Sequence, residues 1–133
     1  MRFVLDANIA IAALNDVHGV RERLRTVPGT EVGIPMVALA ELFFGANKSK
    51  RREENLLRIA ALRRAIATLS LTDGVIERYG AVRASLERRG LAKSDFDLLI
   101  ACTALDLDAV LVTSDQALLD GSINGLRTEN WMS

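Results

Sequence analysis

Short apolar runs alternate with longer stretches of helical spacing along the chain. Residues 3–5, Phe-Val-Leu, form an apolar run that stops at Asp6, which predicts a short buried strand. Ile9, Ala12 and Ala13 then repeat at helical spacing and predict a helix over 8–15. A second helix is expected over 17–27, closed by Pro28-Gly29, and a second strand over 31–34. Pro35 suits the first turn of a helix running to about residue 46, with a polar turn over 47–50. A long helix follows over 51–67, with Leu56, Leu57, Ile59, Ala60 and Ile66 facing inward and Arg58, Arg63 and Arg64 outward. Residues 68–71 are a strand candidate, and Thr72 is placed to cap a helix that ends near Gly90. Ser94 starts another helix, through residue 107. A β-branched strand over 110–113, a short helix over 115–119 and a last strand over 126–128 complete the series. Strands and helices alternate throughout, which predicts an α/β fold with a short, mostly parallel sheet.

Length and composition fit that picture. The 133 residues suit one domain over 1–133 with a sizeable core, and half of them are hydrophobic. No apolar run approaches the ~20 residues needed to cross a bilayer, so no membrane association is expected. Arg2 precedes an apolar stretch, as in a signal peptide, but Asp6, Asn8 and Asn15 interrupt it. Cys102 is the single cysteine, which rules out an internal disulfide or a CxxC site and suits a reducing, cytoplasmic setting.

The net charge is zero, yet its distribution is uneven. Residues 48–93 carry 12 Lys and Arg against 5 Asp and Glu, and the remainder carries 5 against 12. Fourteen of the 17 basic residues are Arg, whose planar fork suits phosphate or carboxylate. Separate basic and acidic faces are the expectation, with solvated helix faces as the plainer alternative.

Four acids stand out by their company. Asp6 ends the first strand, and Asp115 follows the Val110-Leu111-Val112 strand. Glu41 is the lone charge in an apolar helix, Met36 to Phe44, and Asp97 directly precedes Leu98-Leu99-Ile100-Ala101. Taken singly, Asp6 and Asp115 can be helix caps, and Ser94-Asp95-Phe96-Asp97 has the spacing of a capping box. Glu41 resists that account, because a helix apolar nearly all round is buried and an isolated buried carboxylate is costly. In open α/β sheets, ligands bind beyond the carboxyl ends of the strands, where parallel neighbours would bring the four acids to one crevice. Oxygen-only ligands favour hard cations, here Mg²⁺ or Mn²⁺. His18 is the sole histidine, so a zinc site of His and Cys is not expected. An acidic cluster with such an ion suits phosphodiester hydrolysis, with Asn8, Ser94, Thr113 and Ser114 as supporting hydrogen-bonders.

Five motifs, in order, resemble one family. Leu5-Asp6-Ala7-Asn8-Ile9 resembles the opening motif of PIN-domain nucleases, and Ala40-Glu41-Leu42-Phe43-Phe44-Gly45 resembles their A-E-L-x-x-G helix. Asp97-Leu98-Leu99-Ile100-Ala101 is similar to D-x-x-I-A, and Leu111-Val112-Thr113-Ser114-Asp115 to L-V-T-x-[DN]. Glu129-Asn130-Trp131 resembles the E-N-W tail common in VapC toxins. The resemblance implies a three-layer α/β/α fold and a Mg²⁺-dependent endoribonuclease, with Asp6, Glu41, Asp97 and Asp115 as the acidic, metal-holding and catalytic pocket. Asp95 does not carry over as a ligand. It implies a structured RNA substrate, often tRNA, a cognate VapB antitoxin, a homodimer and a toxin–antitoxin hetero-oligomer. Lys48, Lys50, Arg51 and Arg52 are then candidates to hold RNA phosphates near carboxylates that would otherwise repel them.

Other chemistries leave different marks. A haloacid dehalogenase-type phosphatase wants a second Asp two residues after the first, where this chain has Asn8. A phospho-receiver domain wants a late lysine, and the last one here is Lys93. A dinucleotide binder wants G-x-G-x-x-G after the first strand, and it is absent. A non-catalytic interaction module, whose acids only cap helices, is the remaining alternative.

Overall fold

The computed structural model describes residues 1–132. Its centre is a five-stranded, wholly parallel sheet in the order β3-β2-β1-β4-β5. The strands are β1 (Phe3–Leu5), β2 (Val32–Pro35), β3 (Ala67–Leu69), β4 (Val110–Val112) and β5 (Thr128–Glu129). β1 and β2 are buried at every position, so helices cover both faces of the sheet, as an all-parallel sheet requires. This is the three-layer α/β/α arrangement that the alternating pattern and the family resemblance led to.

Seven helices fill the connections among the described residues. They are α1 (Ala7–Leu14), α2 (Val20–Arg25), α3 (Met36–Lys48), α4 (Arg52–Ala65), α5 (Asp73–Arg88), α6 (Asp95–Asp106) and α7 (Gln116–Leu119). α1 packs on α2, α3 on α4, and α5 on α6. The core runs from Val4, Leu5 and Ile34 in the sheet to Ile9, Ala38, Ile59, Leu98 and Ile100 in the helices.

The chain builds outward from β1 to β2 and β3, then crosses back to lay β4 and β5 on the other side. That reversal puts the switch point of the topology beyond the carboxyl ends of β1 and β4, the place where open α/β sheets bind ligands.

Several boundaries differ from the sequence pattern. α2 starts at Val20 rather than 17, because Asp16, His18 and Gly19 all adopt positive φ, at 53°, 57° and 69°, and no right-handed helix passes through them. It ends at Arg25, before Val27, which precedes Pro28. α3 continues through Asn47 to Lys48, so the expected polar turn begins later, at Ser49. α4 stops at Ala65, since Ile66 is extended and leads straight into β3 at 67–69. β5 lies at 128–129, where Thr128 pairs with Leu111 and Glu129 with Val112.

Two expected inward faces also change. Leu57 is 72% exposed, because the buried stripe of α4 runs through Ile59 and Leu62, and Leu57 lies two residues off it. α3 is not buried all round: Met36 and Phe44 are exposed along one side.

Gly29 sits where the 29–31 turn crosses the end of α4. A Cβ there would lie 2.3 Å from the Ala65 carbonyl oxygen, a backbone atom that cannot swing aside. Gly29→Ala is expected to lower the thermal midpoint, at a cost of about 1–3 kcal/mol for forced backbone movement. An unchanged denaturation curve would show that the turn accommodates the methyl.

Candidate active site

β1 and β4 run side by side in register, Leu5 against Val112, so the residues that follow them emerge together. The Asp6 N–H donates to the Val112 carbonyl at 3.1 Å. Asp6 caps α1: one carboxylate oxygen accepts the Ile9 N–H at 2.9 Å. Its other oxygen accepts the hydroxyl of Thr113, a residue with no solvent exposure. The same hydroxyl oxygen accepts the Asp115 N–H at 3.0 Å, using both capacities of a hydroxyl. Asp115 in turn caps α7, accepting the Ala117 N–H at 2.9 Å. One continuous chain of hydrogen bonds therefore fixes the two strand-end carboxylates relative to each other.

The other two acids approach from helices. Asp97 stands in the first turn of α6, its N–H held by the Ser94 hydroxyl oxygen at 3.1 Å. Its carboxyl feels the charge of Asp115, which adds to the rise that burial imposes on it. Glu41, half-buried on α3, faces Asp97 and Asp6. Electrostatic influence thus links the four sequence candidates: Asp115 with Asp6 and Asp97, and Asp6 and Asp97 with Glu41.

The electrostatics carry the mark of that crowding. Burial, above all, holds the Asp6 carboxyl above its ordinary range; Thr113 and Ile9 oppose the rise, and Asp115 and Asp97 add to it. Glu41 is raised by burial and then by Asp97 and Asp6. Asp97 is raised by burial and then by Asp115, with Ser94 and Lys93 pulling the other way. The capping account of Asp6 and Asp115 is correct but incomplete, because caps alone give no reason for the carboxylates to face each other.

These shifts make the stability of the metal-free protein pH-dependent. The folded chain keeps protons on Asp6, Glu41 and Asp97 that the unfolded chain has already released, so stability falls as pH rises through the raised values. Asp120, held low by Ser122 and Lys93, acts in the opposite sense, but only near and below its ordinary value of 3.8. Melting in a chelator is therefore expected at a higher temperature at pH 5 than at pH 7. Equal or lower stability at pH 5 would contradict the crowded-carboxylate reading.

The donor set is four carboxylates with no nitrogen or sulfur among them, which fits a hard divalent cation. Among the described residues, no three His, Cys, Asp or Glu side chains form a ready-made coordination shell. Both Asp6 oxygens and one of Asp115 are engaged with protein donors. A carboxylate oxygen has two lone pairs, so each engaged oxygen retains one for a cation.

The supporting residues separate. Thr113 and Ser94 are tied into the site; Asn8 is exposed on the first turn of α1, and Ser114 is half-buried beside Asp115. Asp95, set apart from the ligands in the sequence, accepts hydrogen bonds from Tyr79 at 2.7 Å and Arg83 at 3.1 Å. Lys48, Lys50, Arg51 and Arg52 are all exposed at the α3–α4 junction. Lys48 lies over the Phe44 ring, and Arg52 bonds Asn47 and Glu53, which leaves Lys50 and Arg51 the less engaged pair. Nothing local in the sequence marks Lys93, between α5 and α6, as part of the site.

A family model described as PIN domain matches residues 3–121. The chain is 35% identical to the tRNA(fMet)-specific endonuclease VapC of Shigella flexneri over 132 residues, 98% of each chain. It is 32% identical to Ribonuclease VapC2 of Rickettsia felis over 134 residues, again 98% of each. Its fold superposes on VapBC2 from Rickettsia felis, solved bound to a DNA fragment from their promoter, with a TM-score of 0.88, 30% identity and coverage of 98% and 99% of the two chains.

Proposed function

The chain belongs to the PIN-domain family, among the VapC ribonucleases, and from that premise we propose that it is a metal-dependent endoribonuclease, the toxin of a VapBC pair. What supports the reading is that Asp6 and Asp115 leave the neighbouring ends of β1 and β4, and that Asp97 and Glu41 sit close enough to feel the charges there. These four would hold the cation, Mg²⁺ or Mn²⁺. When bound, the ion supplies an activated water and charge neutralisation at the phosphate under attack. Thr113 holds Asp6 and Asp115 at a fixed separation, so neither has to be ordered when substrate arrives.

The substrate is structured RNA, with tRNA as the first candidate; the name of the similar Shigella enzyme supports that choice. A cognate VapB protein is the proposed inhibitor, and the VapBC architecture of the similar Rickettsia structure supports it. Large apolar side chains left exposed on α3 and α4, Met36, Phe44 and Leu57, also support a protein partner. A homodimer is proposed on the family resemblance. Among the described residues no helix is long and apolar enough to cross a membrane.

The test is to sequence RNA ends after expression of the wild-type and Asp97→Asn chains. Discrete new ends with the first and none with the second are expected; identical ends from both would refute the reading.

Phosphate contacts belong at the α3–α4 junction. Lys48 lies seven residues beyond Glu41 on α3, two turns or roughly 10 Å along the axis. Neutralising Lys50, Arg51 and Arg52 together is expected to weaken RNA binding and to reduce the slope of log affinity against log salt by up to about 2. The position of cleavage should not move. Unchanged affinity and slope would remove the junction from the RNA path.

A further inference from the structure

Lys93 is a lysine in an unusual position. Its side chain is 5% exposed, although its neighbours Ala92 and Ser94 are exposed. The ammonium donates to the Ala117 carbonyl and to Asp120 Oδ2, the latter at 3.0 Å. Both acceptors belong to α7 and the residue that ends it. On its own side, Lys93 directly precedes Ser94, the cap of α6, whose hydroxyl oxygen receives the Asp97 N–H. Ala117 is the residue whose N–H holds the Asp115 carboxylate. One buried side chain therefore joins the turn that carries Asp97 to the turn that carries Asp115. Those two acids press on each other and, carried on separate segments, would drift apart without a tie.

We propose that Lys93 is a positioning residue, a buried clamp that keeps the Asp115 turn against the Asp97 turn so that both acids serve one divalent cation; the inference rests on the metal-binding reading above.

The competing account is that Lys93 acts only through its charge, and the two accounts predict opposite signs. A cation beside carboxylates repels a divalent ion, so its removal would tighten metal binding. Loss of a clamp would weaken it. The charge of Lys93 is paired with Asp120, and its influence on Asp97 ranks behind those of burial, Asp115 and Ser94. Position therefore outweighs charge.

The test is calorimetric titration of Mn²⁺ into the full chain without RNA. Lys93→Met removes the clamp. The double variant Lys93→Met/Asp120→Asn removes the clamp and leaves net charge unchanged, and it strands no carboxylate without its partner, which protects the fold. Both are expected to bind Mn²⁺ about tenfold or more weakly, the usual loss when a ligand's supporting contact is removed, and Lys93→Arg should restore most of the affinity. Equal or tighter binding by the folded double variant would overturn the clamp. No Mn²⁺ binding by the wild-type chain would overturn the metal reading itself, and the clamp with it.

Discussion

Asp6→Asn lowers RNA cleavage at least about 100-fold and leaves the protein folded. A metal site contributes several kcal/mol to phosphodiester hydrolysis, and each 1.36 kcal/mol is tenfold in rate. The amide keeps the shape of the carboxylate and one acceptor oxygen for the Ile9 N–H that caps α1. What it loses is the charge that a cation needs and the oxygen that accepts the Thr113 hydroxyl, which then accepts from the amide NH2 instead. In the metal-free protein the same change removes a buried carboxylate crowded by Asp115 and Asp97, so the melting temperature should hold or rise. A cleavage assay beside a thermal melt in chelator checks both halves. A folded, fully active Asp6→Asn protein would refute the assignment of Asp6.

Trp131→Ala costs about 3–5 kcal/mol of stability, the range for removing a large buried aromatic side chain. Trp131 is 3% exposed and meets Phe3 edge-on, with ring centroids 5.1 Å apart. Arg23 of α2 stacks over the indole at 5.0 Å, and the indole N–H donates to Glu129 at 3.0 Å. Glu129 lies in β5 and also faces Arg23 at 3.5 Å. One ring thus joins the first strand, the second helix and the last strand. For a chain of 133 residues the expected drop in melting temperature is roughly 10–20 °C. A loss below 1 kcal/mol in chemical denaturation would show that the tail is peripheral to the fold.

The sequence exposed much of this because its signals were local. Asp6 breaks an apolar run, and Glu41 is the single charge between Met36 and Phe44; both are visible in a few residues. The strand–helix alternation carried the layer order, and Asp6 and Asp115 fell where parallel strands end. Other features had no local signal. The late start of α2 depends on positive φ at Asp16 and His18, residues that tolerate it without requiring it. The sequence pattern places β3 and β5 at 68–71 and 126–128, and they lie at 67–69 and 128–129; as edge strands with exposed or half-buried residues they carry no buried run to fix their ends. Leu57 reads as core by type but sits off the buried stripe of α4. Thr113 was legible as a helper beside Asp115. Its bond to Asp6, 107 positions away, belongs to the sheet register alone. Lys93 is the extreme case: its burial depends on α7, which lies 24 residues further along the chain.

The central claim is that scattered carboxylates form one cation site. Crystals grown with Mn²⁺ and measured for anomalous scattering test it most directly. The account predicts a peak bounded by Asp6, Glu41, Asp97 and Asp115, lost in Asp6→Asn. A peak elsewhere on the molecule, with these four side chains untouched, would contradict it.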